Sequence, residues 1–77
     1  MTTKMMSHSN DVGKKIKIMR AVLDLSQEEL AEILGCSRPL VNMIENNKRN
    51  LTVSHKKKLK VLIESTDNQI IKSLGLL

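Results

Sequence analysis

Three observations predict an all-α fold, a compact bundle of four to five short helices. Apolar residues recur at helical spacing in several stretches, capping side chains precede those stretches, and no segment shows the period-two alternation of a half-buried strand. The 77 residues suffice for one domain, because a chain of this size buries only about 60% of its unfolded surface. With no Phe, Trp or Tyr, its core is expected to be built from Leu, Ile, Val and Met.

Residues 1–9 have neither helical nor strand periodicity and read as a flexible tail, either simply frayed or an arm that touches DNA or a second subunit. The folded part is expected over residues 10–77. A first helix begins at a cap, Asn10 or Asp11, carries Val12, Ile16, Met19 and Leu23 on one face and is expected to end near Leu25. Ser26 and Glu29 form a capping box for a second helix bearing Leu30, Ala31, Ile33 and Leu34, which Gly35 stops after about two turns. Ser37 caps a third, with Pro39 in its first turn, Leu40, Val41 and Ile44 on the apolar side, and Asn46 and Asn47 at its end. A fourth starts after Thr52 or Ser54 and carries Leu59, Leu62 and Ile63, and a fifth, capped by Thr66 or Asp67, carries Ile70, Ile71 and Leu74.

Thirteen Lys and Arg against eight Asp and Glu leave a formal charge of +5, which favours a polyanionic partner, nucleic acid first and an anionic membrane second. The charge is also localised: Arg38, Lys48, Arg49, Lys56, Lys57, Lys58 and Lys60 are opposed between residues 38 and 60 only by Glu45. Without aromatic side chains the chain has nothing on which to stack single-stranded bases, so duplex DNA is the nucleic acid expected. A membrane role is disfavoured, since the basic fourth helix has no Trp or Phe anchor and no apolar run exceeds three residues (Val61 to Ile63).

Cys36 is the single cysteine, and with His8 and His55 too isolated to join it, neither an intramolecular disulfide nor a metal site is expected; no cofactor is implied. A cytoplasmic protein follows as the simplest expectation. No set of acid, base and nucleophile can be assembled, so an enzyme is not expected.

Two short helices joined by a turn of three or four residues starting at Gly35 suggest helix-turn-helix packing, in which the second helix enters the major groove. The segment SQEELAEILGCSRPLVNMIENNKR, Ser26 to Arg49, resembles the lambda-repressor and Cro-like helix-turn-helix family of XRE-type regulators. The resemblance is carried by Gln27, Leu30, Ala31, Gly35, Ser37, Val41, Ile44 and Glu45 at fixed spacing and extends over roughly residues 12–64. Asn47 departs from the glycine usual in that turn, and Pro39 stands where family members often hold a polar reader.

The resemblance implies roles residue by residue. The base readers are the outward positions of the third helix, Arg38, Pro39, Asn42 and Met43. Arg38 suits guanine O6 and N7, Asn42 offers a donor and acceptor pair to adenine, and Met43 or Pro39 can lie against a thymine methyl. Phosphate contact falls to Gln27, Ser37, Asn46, Asn47, Lys48 and Arg49, with Ser37 also readable as only a cap. Two readings stay open for Lys56, Lys57 and Lys58, a solvated face or further phosphate contact. Arg20 is expected to pair with Glu45 and pin the first helix to the end of the third.

One such module offers little surface for tight binding, so a homodimer on a pseudo-palindromic operator is expected. Its seam is assigned to Ile70, Ile71, Leu74, Leu76 and Leu77, the alternative being that these residues close the core. The function expected is a repressor with no ligand-sensing domain, controlled by concentration, dimerisation or a regulatory partner protein. The alternatives are a restriction-system controller protein or an antitoxin that binds a toxin as well as DNA.

Overall fold

The computed structural model describes residues 11–76. It contains α1 (Val12–Val22), α2 (Gln27–Leu34), α3 (Arg38–Glu45), α4 (Val53–Glu64) and α5 (Gln69–Ser73), with no strand among the described residues. The all-α class is as expected. The tail assigned to residues 1–9, the alternative cap Asn10 and the terminal Leu77 lie outside the described residues.

Each helix starts where a side-chain oxygen accepts a backbone N–H of the first turn. Asp11, Ser26, Ser37 and Thr52 accept from the amides of Lys14, Glu29, Leu40 and His55 respectively. Glu29 completes one capping box by accepting from the Ser26 amide at 2.8 Å. His55 does the same for α4, its Nδ1 accepting from the Thr52 amide at 3.3 Å. The cap of α5 is Asn68 rather than Thr66 or Asp67, because its Oδ1 reaches two amides, of Ile70 and Ile71, while Thr66 Oγ1 accepts from Asn68 itself.

The first three helices end alike, in a left-handed residue whose amide bonds three residues back while the next amide bonds five back. These residues are Asp24 (φ 58°), Gly35 (φ 72°) and Asn47 (φ 60°). At Gly35 the residue type announces the turn. Asp24 does not, and α1 stops at Val22 instead of running to Leu25.

One cluster forms the core: Ile16 and Met19 of α1, Leu30, Ala31 and Leu34 of α2, Val41 and Ile44 of α3, Leu59 and Ile63 of α4, and Ile71 of α5. Helix α3 packs against α1 and α2, α4 against α2, and α5 against α1. The small Ala31 is buried in α2, the helix that packs against both α3 and α4, so added bulk there would have to be accommodated by a closed core. Gly13 allows a similar approach of α1, since a Cβ there would run into the carbonyl oxygens of Ile44 and Glu45.

Burial corrects part of the expected dimer seam. Ile71 is 1% exposed and belongs to the chain's own core, and Leu74 and Leu76 pack half-buried against it. Of the seam residues described, only Ile70 is exposed, at 56%. Ile33, counted with the apolar positions of the second helix, and Val12 of the first sit at the surface.

Candidate nucleic-acid interface

Helix α3 and its C-cap present an outward row, Arg38, Asn42 and Asn46, spaced four residues apart and so stacked one turn above another. All three are exposed, whereas Val41 and Ile44, which point away from the row, and Glu45, at its inner edge, are buried. Arg38, Pro39, Asn42 and Met43 line one shallow cavity of about 360 Å³, together with Gln27 from the start of α2. The four side chains assigned to base contact thus share one surface, beside Gln27, one of the six residues assigned to phosphate contact.

The base of this surface is a hydrogen-bonded chain. Glu45, buried at 3% exposure, accepts from Arg20 Nε at 2.7 Å and from Arg20 Nη2 at 3.2 Å. Arg20 Nη1 donates to the Leu25 carbonyl at 3.0 Å, tying the same guanidinium to the α1–α2 turn. Gln27 Nε2 donates to Glu45 Oε1 at 3.0 Å, and Gln27 Oε1 accepts from Arg38 Nε at 3.4 Å. One buried carboxylate therefore links α1, the start of α2, and α3, and the chain continues outward to Arg38.

Asn46 and Asn47, expected at phosphates, are both engaged within the protein. Asn46 Nδ2 donates to the Asn42 carbonyl at 2.8 Å and to Asn42 Oδ1 at 3.2 Å. Asn47 Oδ1 accepts from the Gly13 amide at 3.0 Å, and its Nδ2 donates to Asp11 Oδ1 at 2.9 Å, fastening the start of α1 to the end of α3. That bond to Asn47, followed by the Lys14 amide, holds the Asp11 carboxyl below the usual carboxylate range. Ser37 caps α3, its Oγ accepting from Leu40 N at 3.3 Å, and Lys48 and Arg49 are exposed in the following loop.

The structure divides the remaining lysines in a way that linear reading cannot. Lys14 and Lys17 of α1 flank Asn46 and Asn47 across a cleft of about 720 Å³, which adds them to the candidate phosphate contacts. Lys56 joins Arg49 and Asn50 around another of about 390 Å³. Lys57 and Lys58 instead line an apolar hollow with Ile33, Val61 and Leu62. Lys58 Nζ donates to the Leu34 carbonyl at 3.4 Å, where the negative end of the α2 dipole offsets the poor placement of a cation at the start of α4.

Cys36 packs half-buried against the core, and burial pushes its thiol up, with Lys58 opposing. No group of three or more His, Cys, Asp or Glu among the described residues is placed to hold a metal ion, and no helix there is long and apolar enough to cross a membrane.

A family model described as helix-turn-helix matches residues 16–59, more than half of the chain, from within α1 to the middle of α4. No curated protein and no solved structure gives a significant match.

Proposed function

The chain belongs to the lambda-repressor-like, XRE-type helix-turn-helix family of DNA-binding transcription regulators, and on that premise we propose that it is a repressor that occupies an inverted-repeat operator as a homodimer. Helix α3 lies in the major groove with Arg38, Pro39, Asn42 and Met43 toward the bases. Lys48, Arg49, Lys14, Lys17 and Lys56 hold phosphates on the flanks, and the N-terminal end of α2 offers a further phosphate site beside Gln27. The observation that carries this reading is the shared cavity of Gln27 and the four outward residues of α3, buttressed from behind by Glu45.

The seam between subunits is assigned to Ile70, flanked by Leu74 and Leu76, since burying exposed apolar surface is what an isologous contact gains. A cytoplasmic site of action accords with DNA as the target. Selection of bound duplexes from a random pool tests the reading as a whole. The expected result is a two-fold motif with half-site centres about 34 Å apart; a pool that stays random overturns it.

A further inference from the structure

Two of the amides at the reading surface, those of Gln27 and Asn42, are oriented by partners within the same chain. Glu45 carries only acceptors, so the end of the Gln27 amide that meets it is the nitrogen, and Oε1 is turned to Arg38. The Asn42 carbonyl is likewise an acceptor only, which fixes the nitrogen end of Asn46 against it at 2.8 Å. The same nitrogen then meets the Asn42 side chain at 3.2 Å, so the end of the Asn42 amide facing Asn46 is the oxygen.

The consequence is that the side chains assigned to the bases turn donors outward in preference to acceptors. Asn42 Oδ1 faces along α3 toward Asn46, leaving Nδ2 on the edge away from it. Gln27 Oε1 is engaged by Arg38, and Arg38 has only donors. Pro39 and Met43 contribute apolar surface and a thioether, a weak acceptor at most. The adenine pairing expected of Asn42 needs its oxygen and nitrogen side by side against N6 and N7. Guanine instead sets two acceptors, O6 and N7, next to each other, and the two hydrogens of one NH₂ group can meet both.

Building on the reading of α3 as the major-groove helix, we infer that Asn46 locks Asn42 as a donor and so makes guanine, not adenine, the base that Asn42 selects. Asn46 is then a specificity-determining residue that need touch no base. An adenine at this position sets its N6 amino group against the Asn42 NH₂, two donors without an acceptor between them.

The test is duplex selection with the full chain and with Asn42→Ala, Asn46→Ala and Asn46→Asp. All the substituted side chains are exposed, and circular dichroism checks that the helical content is kept. The position whose preference Asn42→Ala erases is expected to hold G·C over A·T by about tenfold in the unsubstituted protein. Asn46→Ala frees the Asn42 amide to turn and should bring A·T to within about threefold of G·C at that position alone. Asn46→Asp keeps the size but offers only acceptors, which draw Asn42 Nδ2 inward and should likewise abolish the guanine preference.

An A·T pair selected at that position, a preference unmoved by both Asn46 variants, or no position sensitive to Asn42→Ala overturns the inference while the DNA-binding reading stands. Failure to enrich any motif removes that reading and the inference together.

Discussion

Arg20 Nε and Glu45 Oε2 lie 2.7 Å apart with unequal exposure, the carboxylate side chain at 1% and the arginine side chain at 23%. The asymmetry predicts which partner is the costlier to lose. Arg20→Ala leaves the buried carboxylate with only the Gln27 amide, whereas Glu45→Ala leaves a guanidinium that reaches water and still bonds the Leu25 carbonyl. Breaking a buried pair from the side that strands the charge costs roughly 3 to 5 kcal/mol. Arg20→Ala is expected in that range and Glu45→Ala below it, as measured by urea midpoints at constant m. The reverse order refutes the idea that stranded charge, rather than lost packing, governs this site.

Gly13→Ala should destabilise, although alanine is ordinarily favoured over glycine inside a helix by up to about 1 kcal/mol. Here the added Cβ meets backbone carbonyl oxygens of Ile44 and Glu45, which cannot swing aside as a side chain can. Overpacking of this kind costs about 1 to 3 kcal/mol, enough to reverse the sign. Thermal unfolding decides the matter, and a variant melting above the parent contradicts the close approach of α1 to α3.

Asp11 makes the junction of α1 with α3 sensitive to acid. Its carboxyl titrates below the ordinary 3.8 when folded, through its bond from Asn47 first and the Lys14 amide second. A depressed carboxylate pKa adds stability that is complete above the unfolded value and is lost as pH falls through the folded one. Asp11→Asn is therefore expected to melt below the parent at pH 6, with the gap narrowing once the pH drops below about 3.8. A gap that stays constant to pH 2.5 shows that the charge of Asp11 plays no part.

Helix starts were legible where a cap and the amides it serves lie within three residues of sequence, as Ser26 and Glu29 do, but at α5 three neighbouring capping types compete and Asn68 takes the place expected of Thr66 or Asp67. Helix ends were less so: Gly35 advertises a left-handed residue, but Asp24 takes the same conformation without being a residue type that demands it. The outward row of α3 could be counted off at helical spacing, whereas the roles of its neighbours depended on distant partners. Asn47 reads as a loop polar group until Gly13 and Asp11, more than thirty residues away, are brought to it. Lys56, Lys57 and Lys58 are one run in sequence and two surfaces in space. Ile70 and Ile71, adjacent and chemically identical, are parted by burial alone.

That last difference gives a prediction for assembly. Ile71→Lys puts a charge into the core and should abolish cooperative unfolding, since a buried, unpaired ammonium has no compensation there. Ile70→Lys alters a residue 56% exposed, so the fold should persist while self-association weakens by at least about tenfold in sedimentation equilibrium. A dimer unaffected by Ile70→Lys moves the seam to another face, with the exposed Ile33 and Val61 the next surface to probe.

Salt dependence distinguishes the two lysine surfaces of α4. Each cation that neutralises a phosphate contributes nearly one unit to the slope of log K against log salt. Lys48→Ala, Arg49→Ala and Lys56→Ala are each expected to lower the magnitude of that slope by about 1 and to weaken binding evenly across sequences. Lys57→Ala should leave the slope unchanged, because Lys57 lies with Ile33 and Val61 on the apolar hollow rather than beside Arg49 and Asn50. Fluorescence anisotropy with one operator and one scrambled duplex over a range of salt concentrations separates the cases. Equal losses of slope for Lys56→Ala and Lys57→Ala mean that DNA reaches around α4 to the hollow, and the bound duplex must then cover a wider face than α3 and its flanks.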